Sequence, residues 1–376
     1  MQWPDFSGME YYGAVDRVLE SGVYTQGREV ETFEHEFGRW LDPFAPPYVV
    51  MTSSGTTALT AILRALEIGP GKNVYLPAST FTATLLAVLL TGANPVLIDI
   101  NEQGAIDVDA LRRTKPRLND SAVLSVDLDG IPVDYHALLE FVSDRDLWFV
   151  SDSCPAVGAT WCGINVSLIA DATAVSFNQT KILPAGEGGA IITRSETLAE
   201  LLRGIINFGE IPTVSKLANR YSSVVGGNYK PTEIMAAVAR VSLTKVNARL
   251  ERARHNASVL GKFPFAYSLP TFDSRANPSW HKFRLGVPEA ARAEVDFVNA
   301  GIPVGLMENR VLPLYRQVIM HEKERLPAMS ASKILDQYPY SEKHWRNTIP
   351  LGSRAKPFWM WTDEEVVEIG EKLCGL

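Results

Sequence analysis

The chain has 376 residues, 46% of them hydrophobic and 21% charged, so it is long enough to bury the cores of two or three globular domains. A formal net charge of −7 disfavours nucleic acid or an anionic membrane as the main partner, because both attract basic surfaces. The three cysteines form no Cys-x-x-Cys pair and the six histidines are scattered, which disfavours a metal site and predicts reduced thiols. With neither a signal-peptide pattern nor a long apolar run, we expect a cytoplasmic protein with no membrane span.

The predicted elements begin with two helices, over Met9–Glu20 and Gly27–Leu41. From residue 48 onward, short apolar runs alternate with helical segments. The runs predict strands over Tyr48–Thr52, Val74–Pro77, Pro95–Ile100, Ala122–Asp127, Leu147–Asp152, Ala172–Phe177 and Gly189–Thr193. Helices are expected between them over Gly55–Leu66, Phe81–Leu90 and Tyr135–Ser143. This alternation predicts an α/β fold, with a mostly parallel central sheet and helices on both faces.

The last third of the chain predicts a different arrangement. A long helix from Thr232 to about Leu260 leads into a smaller α+β C-terminal domain. That domain ends with a helix whose start, Thr362–Glu365, has the pattern of a capping box. We therefore predict a large domain over 1–245, which includes the N-terminal helices, and a small C-terminal domain over 246–376.

Functional residues are expected at the carboxyl ends of the strands, where α/β sheets hold their ligands. After the first strand, Gly55 and Thr56 open a helix whose backbone N–H groups suit a phosphate, although an ordinary helix cap explains the same residues. After the second strand, Phe81 stands where its ring can stack on a planar ligand. A core aromatic is the more usual explanation for such a residue.

Two charged residues follow later strands. Asp152 ends a buried strand, so its carboxylate needs a partner. A protonated pyridine nitrogen is one candidate, and a local ion pair or a helix N-cap explains the residue equally well. Lys181 lies in a loop between two apolar runs, where burial would lower its pKa as a Schiff-base lysine requires. A solvated loop lysine is the alternative. The conjunction of these residues, in order along one domain, favours the functional interpretation.

Seven motifs extend along nearly the whole chain. They are Ser21–Gly27, Ser53–Leu59, Pro77–Thr84, Asn94–Ile100, Ser176–Lys181 followed by Gly186–Gly189, Gly227–Glu233, and Thr362–Glu365. In this order and spacing the sequence resembles the DegT-type sugar aminotransferases, a branch of the pyridoxal-5′-phosphate (PLP) enzymes of fold type I.

The resemblance implies a role for several residues. Lys181 would carry the cofactor as a Schiff base and shuttle the proton, and Asp152 would hold the pyridinium nitrogen. The remaining implied cofactor contacts are ring stacking by Phe81, phosphate binding by Gly55, Thr56 and Ser176, and a contact from Asn228 to the cofactor of a partner subunit. That last contact implies a homodimer with shared active sites.

The sequence departs from the family pattern at Pro155. The family usually has Gln or His three residues after the aspartate, on the side of the cofactor's ring oxygen, and proline offers no side-chain donor or acceptor there. Another group, or water, must take that role, or the ring electronics differ. A branch of the family that dehydrates sugars has His in place of the Schiff-base lysine, and Lys181 disfavours that branch.

The resulting hypothesis is aminotransfer from an amino acid, by resemblance glutamate or glutamine, to a keto-sugar or keto-cyclitol that is often nucleotide-linked. Alternatives are another PLP reaction on the same scaffold, such as elimination, cyclisation or decarboxylation, and a non-catalytic regulatory relative. Acceptor specificity is expected from 207–223, 280–284 and 307–316. The candidate substrate residues are Tyr24, Arg220, Lys230 and Tyr315.

Overall fold

Twelve strands are present in the computed structural model, which describes residues 8–114, 121–210, 222–304, 312–317 and 331–376. In chain order they are β1 (Tyr48–Thr52), β2 (Asn73–Pro77), β3 (Asn94–Ile98), β4 (Ser121–Val126), β5 (Trp148–Asp152), β6 (Thr160–Trp161), β7 (Ile164–Asn165), β8 (Ala172–Ser176), β9 (Gly189–Thr193), β10 (Ala276–Asn277), β11 (Phe283–Gly286) and β12 (Thr348–Leu351).

Helices accompany the strands along the described chain. They are α1 (Met9–Ser21), α2 (Arg28–Leu41), α3 (Gly55–Ala65), α4 (Thr82–Thr91), α5 (Val108–Arg113), α6 (Tyr135–Ser143), α7 (Glu196–Ile206), α8 (Glu233–Thr244), α9 (Val246–Leu260), α10 (Ala290–Asn299), α11 (Ala331–Gln337), α12 (Pro339–Asn347) and α13 (Asp363–Cys374). Among the residues described, none of these helices is both long and apolar enough to cross a membrane.

The central sheet has seven strands in the order β1-β9-β8-β5-β4-β2-β3. The pairs β2–β3, β2–β4, β4–β5 and β5–β8 are parallel, whereas β9 runs antiparallel to both of its neighbours. The predicted α/β fold with a mostly parallel sheet is therefore confirmed. Because β2, β4, β5 and β8 point the same way, their carboxyl ends meet at one edge, and this edge carries the site described below.

Three buried apolar clusters pack against this sheet. One of them joins Phe33 and Phe37 of α2 to Val175 of β8, and continues to Trp361 and Leu373 near the end of the chain. The C-terminal segment therefore shares a core with the sheet. The predicted boundary between 245 and 246 coincides with the junction of α8 and α9, and the division into two domains stays a prediction.

One helix prediction was wrong at this junction. A single helix was expected from Thr232 to about Leu260, but the structure has two helices separated by Lys245. The N–H of Lys245 donates to the carbonyl of Ser242, three residues back, which tightens the last turn and ends α8. The capping box at the C-terminal helix is confirmed, since Thr362 and Glu365 each bond to the other's backbone N–H.

The buried carboxylate of Glu233 joins two of the motifs. Its oxygens accept hydrogen bonds from the backbone N–H groups of Gly27 and Glu29, which open α2. Glu233 is also the first residue of α8, and its own N–H donates to the carbonyl of Tyr24. A negative charge at a helix N-terminus is stabilising. The contact therefore fixes α2 and the preceding loop against α8.

Candidate active site

A cavity of about 470 Å³ opens at the carboxyl edge of the central sheet. Six of the predicted cofactor-binding residues line it, namely Gly55, Thr56, Phe81, Asp152, Ser176 and Lys181. These residues come from the ends of β1, β2, β5 and β8 and from the loop after β8. The parallel register of the strands brings together residues that are far apart in the sequence. The cavity size falls within the range that holds small-molecule ligands.

Asp152, the last residue of β5, is buried beside the cavity. Its Oδ2 accepts a hydrogen bond from Oγ1 of Thr84 at 2.8 Å, and its Oδ1 accepts one from the backbone N–H of Cys154 at 3.2 Å. No ion pair with Asp152 is found among the described side chains, so the local-salt-bridge alternative has no support there. A cationic group of a ligand is the kind of partner this carboxylate requires.

Lys181 lies in the loop between β8 and β9, which the backbone holds closed. The N–H of Lys181 donates to the carbonyl of Asn178 at 2.8 Å, and Phe177 and Gly188 are joined by a similar bond. Gly188 has a φ of +135°, a conformation open to glycine but not to residues with a Cβ. The glycines after Lys181 are thus required by the turn that returns the chain to β9.

The Lys181 amine has a lowered pKa. Burial is the main cause, and the carboxylates of Asp152 and Asp129 oppose it. A lysine in this environment loses its proton more easily than one on the surface, which is the condition for reaction with a carbonyl carbon. Cys154 responds differently to the same surroundings. Burial and the charge of Asp152 raise its pKa well above the ordinary value, so it stays a thiol.

The first turn of α3 forms a phosphate-sized cradle. Ser54 caps the helix: its side chain accepts from the N–H of Thr57, and the Thr57 hydroxyl accepts from the N–H of Ser54. Thr57 is therefore occupied by the cap, and the N–H groups of Gly55 and Thr56 are left at the positive end of the helix. Ser176, at the end of β8, lies next to Gly55 and adds a hydroxyl.

Phe81 lies on another wall of the cavity with 65% of its surface exposed. A core role is excluded by this exposure. A large apolar ring left open beside a cavity marks a surface for a planar ligand, since stacking would remove it from water.

The remaining predicted residues do not line this cavity. Asn228 and Tyr24 are exposed elsewhere, and the Lys230 ammonium lies 4.0 Å from the centre of the Phe208 ring. Tyr315 is buried in the core, where its ring stacks on Tyr338 and its hydroxyl donates to Glu342. Arg220 lies outside the described residues.

The range 280–284 is expected from the sequence to contribute to acceptor specificity, with no single residue singled out. The structure brings His281 and Lys282 from this range to the cavity, together with Arg354 from the loop after β12. Asp129, after β4, also lines it, and the Asp129 carboxylate is paired with Arg284 at 2.5 Å. Burial alone would raise the pKa of Asp129, but the charge of Arg284 outweighs burial and lowers it.

The residues at the cavity fit PLP. The cofactor has a ring nitrogen, an aldehyde, a phosphate and a flat face, and the cavity presents a buried carboxylate, an amine of lowered pKa, a helix N-terminus with a hydroxyl, and an open aromatic ring. A metal centre has less support. Within the described ranges no group of three His, Cys, Asp or Glu side chains is arranged to hold an ion.

Comparison with protein families gives a match over residues 7–370 to the DegT/DnrJ/EryC1/StrS aminotransferase family. The chain belongs to this family. Among curated relatives, the dTDP-3-amino-3,4,6-trideoxy-alpha-D-glucose transaminase of Streptomyces venezuelae is 36% identical over 281 residues, which is 72% of this chain and 70% of that protein. The dTDP-3-amino-3,6-dideoxy-alpha-D-galactopyranose transaminase of Aneurinibacillus thermoaerophilus is 33% identical over 287 residues, 74% of this chain and 76% of that protein.

Solved structures of family members have the same fold. DesV of S. venezuelae, crystallised in complex with a ketimine intermediate, superposes with a TM-score of 0.84 at 28% identity and covers 97% of this chain and 94% of that one. The family resemblance drawn from the motifs is thereby confirmed, and so is its fold class.

Proposed function

We propose that this DegT-family member is a PLP-dependent aminotransferase, which transfers an amino group from an amino acid to a keto-sugar or keto-cyclitol linked to a nucleotide. Glutamate or glutamine is the proposed donor. The observation that carries the proposal is the cavity itself, which brings together an amine of lowered pKa on Lys181 and the buried carboxylate of Asp152, which has no ion pair among the described side chains. The curated relatives support the acceptor class, because both are transaminases of dTDP-linked sugars.

When bound, PLP supplies an aldehyde that condenses with amines and a ring that withdraws electrons from the adjacent carbon. Lys181 would hold the cofactor covalently until the donor amine displaces it. The freed Lys181 amine would then take the proton from the donor's α-carbon and return it at the cofactor's exocyclic carbon. A lowered lysine pKa suits both parts of this task, because the amine must accept and release a proton near neutral pH.

The other residues would hold the ring in place. Asp152 would pair with the protonated ring nitrogen, and its two hydrogen bonds fix the carboxylate before the ligand arrives. Phe81 would stack on the ring, while Gly55, Thr56 and Ser176 would bind the phosphate. Lys282 and Arg354 add positive charge to the cavity, which suits a substrate that carries a carboxylate or a diphosphate.

The proposal includes a homodimer with shared active sites. Asn228 is exposed and does not line the cavity of its own subunit. The Asn228 backbone is nevertheless close to the turn between β1 and α3, because the N–H of Ser53 in that turn donates to the carbonyl of Tyr229, the residue after Asn228, at 2.8 Å. A second subunit that brings its Asn228 to the phosphate would give this exposed amide a function.

The decisive variant is Lys181→Ala. We expect it to lose both the yellow colour of the lysine-bound cofactor and all turnover of keto-sugar nucleotides with glutamate or glutamine, as followed by mass spectrometry. Lys262→Ala, which changes an exposed lysine two residues after the end of α9, is the matched control and should behave like the wild type. Transamination by Lys181→Ala at the wild-type rate would overturn the assignment.

A second candidate is another PLP reaction on the same scaffold. The observation that favours it is Pro155, which lines the cavity and offers no side-chain hydrogen bond. The two candidates differ in the first half-reaction. An aminotransferase converts its cofactor to the amino form when mixed with its amino acid donor, so the absence of such conversion with any amino acid would favour the alternative.

A further inference from the structure

The imidazole of His281 lines the same cavity as Lys181 and Asp152, and it is 93% buried. Its Nδ1 has no hydrogen-bond partner among the described residues. Among the described residues that line the cavity, no other buried side-chain polar atom is without a hydrogen bond. A buried polar group without a partner is costly, so a ligand in the cavity is the natural source of the missing bond.

The backbone holds His281 firmly at this position. The N–H of Ser279 donates to the carbonyl of Gly130, and the N–H of Lys282 donates to the carbonyl of Asp129. Between these two bonds Trp280 adopts a φ of +53°, which is unusual for a bulky residue. A strained backbone conformation of this kind persists only where contacts with the surrounding structure hold it in place, and such residues are concentrated at functional sites.

Cys154 and Pro155, which line the cavity after Asp152, offer little hydrogen bonding of their own. Pro155 lines the cavity with an apolar ring, and the Pro155 carbonyl already accepts from the Ser279 hydroxyl at 3.3 Å. Cys154 is held as a thiol, a weak donor. A ligand atom that needs a hydrogen bond near this wall can find it at the imidazole.

PLP has four polar positions, and three of them already have partners in the proposed site. The ring nitrogen would meet Asp152, the aldehyde carbon Lys181, and the phosphate the start of α3. The fourth is the ring 3-oxygen, which lies on one side of the aldehyde group, while the phosphate arm lies on its other side. His281 lies near enough to Lys181 for the lysine charge to influence its ionisation. The unpartnered imidazole thus lies in the same cavity as Lys181, and Ser279, two residues before it, is bonded to the carbonyl of Pro155.

We propose that His281 donates a hydrogen bond to the 3-oxygen of the cofactor, and that it thereby takes the role for which Pro155 has no side-chain group. This inference rests on the proposed function, because it requires PLP in the cavity. An imidazole can present either nitrogen by rotation about its Cβ–Cγ bond, so one N–H suffices.

The charge state of His281 agrees with this role. Burial lowers the pKa of His281 well below its ordinary value, and the charges of Lys181 and Lys282 lower it further. His281 is therefore neutral near pH 7, with one N–H to donate. A neutral donor can stabilise negative charge on the 3-oxygen without placing another cation beside Lys181.

The hydrogen bond has a spectroscopic consequence. Negative charge on the 3-oxygen attracts the proton on the nitrogen that joins Lys181 to the cofactor, and a donor to that oxygen weakens the attraction. Loss of the donor should therefore make this nitrogen hold its proton more tightly. We expect His281→Leu to raise the apparent pKa of the visible band, with about a tenfold change in the acid constant, and to weaken cofactor binding about tenfold.

Two further variants make the test specific. His281→Gln keeps an amide donor and should restore most of the wild-type titration and affinity. His344→Gln is the matched control, since His344 is a histidine of strongly lowered pKa that lines a neighbouring cavity and not this one. This control should leave the visible band unchanged. Melting temperatures would identify a variant that fails to fold, and in that case His281→Gln compared with His281→Met, which is of similar length and has no donor, gives the same contrast.

The outcomes separate the inference from the proposed function. An unaltered titration and cofactor affinity in folded His281→Leu would overturn the inference while the function stands. If those two properties are unchanged and only the KM for donor or acceptor rises, His281 binds substrate and the inference is equally overturned. If the wild-type protein binds no PLP at all, the proposed function itself fails.

Discussion

The hydroxyl of Thr84 donates a hydrogen bond to Oδ2 of Asp152 at 2.8 Å, and both side chains are buried. Thr84 lies on α4, which follows β2, whereas Asp152 ends β5, two positions along in the sheet. The other oxygen of Asp152, Oδ1, accepts a hydrogen bond from the backbone N–H of Cys154. Asp152 is thus held in one orientation from two elements, and its free lone pairs are available to a ligand in the cavity.

The first prediction concerns Thr84→Val, which keeps the shape of the side chain and removes the donor. A hydrogen bond to a charged group contributes about 1.5–3 kcal/mol, so kcat should fall roughly tenfold as Asp152 loses its fixed orientation. Thr84→Ser, which retains the hydroxyl, should stay within about threefold of the wild type. Steady-state kinetics would measure both. Equal kcat values for Thr84→Val and the wild type would show that the bond does not position Asp152.

Much of this site could be predicted because parallel strands place their last residues side by side. Asp152 and Ser176 are the last residues of their strands and Gly55 is three residues beyond the end of β1, so the apolar runs located them. The role of Thr84 could not be predicted, because the sequence around a helical threonine does not show which carboxylate its hydroxyl will contact. The pairing depends on the strand order, which the local sequence does not contain.

The residues from the C-terminal part were harder to identify for a related reason. His281 and Lys282 reach the cavity because backbone bonds from Ser279 and Lys282 hold this segment to residues 129 and 130, about 150 positions earlier in the chain. The periodicity of the local sequence does not predict a contact between residues so far apart in the chain. For Tyr315, a candidate substrate residue, the sequence did not predict burial. It lies within a range expected to contribute to specificity, but its ring is buried against Tyr338.

The second prediction concerns the close packing at Gly55. A Cβ added there would lie 2.7 Å from Sγ of Cys154 and 3.1 Å from Cβ of Ser176, so one of them must move. Both neighbours belong to the walls of the cavity. We expect Gly55→Ala to raise the dissociation constant for PLP about tenfold, as measured by fluorescence titration.

Gly13 provides the control for this substitution. It is exposed on α1, and a Cβ there would meet nothing within 4 Å. Alanine is favoured over glycine inside a helix by about 0.5–1 kcal/mol, so Gly13→Ala should keep its cofactor affinity and melt at the same or a slightly higher temperature. Wild-type PLP affinity in Gly55→Ala would show that the cradle tolerates the displacement.

The third prediction concerns the pH dependence of stability through Lys282. Burial lowers the pKa of Lys282 to about 8, against an ordinary value of 10.5, and the charge of Asp129 opposes this only in part. Between these two values the unfolded chain binds the proton and the folded chain does not. Stability should therefore rise with pH across this window, while the full cost of a buried ammonium persists below pH 8.

Lys282→Met tests this directly in the cofactor-free protein. Removal of the ammonium should raise the melting temperature at pH 7 by about 2–4 °C and flatten the increase between pH 8 and 10 relative to the wild type. Differential scanning calorimetry at several pH values would measure both effects. Parallel curves for the two proteins would mean that Lys282 keeps its ordinary ionisation in the folded state.

The fourth prediction concerns the proposed sharing of sites between two subunits. Asn228→Asp places a negative charge where the partner's cofactor phosphate is expected, so the pure variant should lose most of its activity, as should pure Lys181→Ala. A mixed dimer of these two subunits has one site in which both residues are altered. Its other site combines an intact Lys181 from one chain with an intact Asn228 from the other.

Co-expression of the two variants under different affinity tags, followed by tandem purification, would isolate the mixed dimer. If the sites are shared, it should recover roughly half of the wild-type activity, since one of its two sites is complete. If Asn228 instead serves its own subunit, each site carries one altered residue and the mixed dimer stays inactive. The exposure of Asn228, together with its absence from the cavity of its own chain, favours the first result.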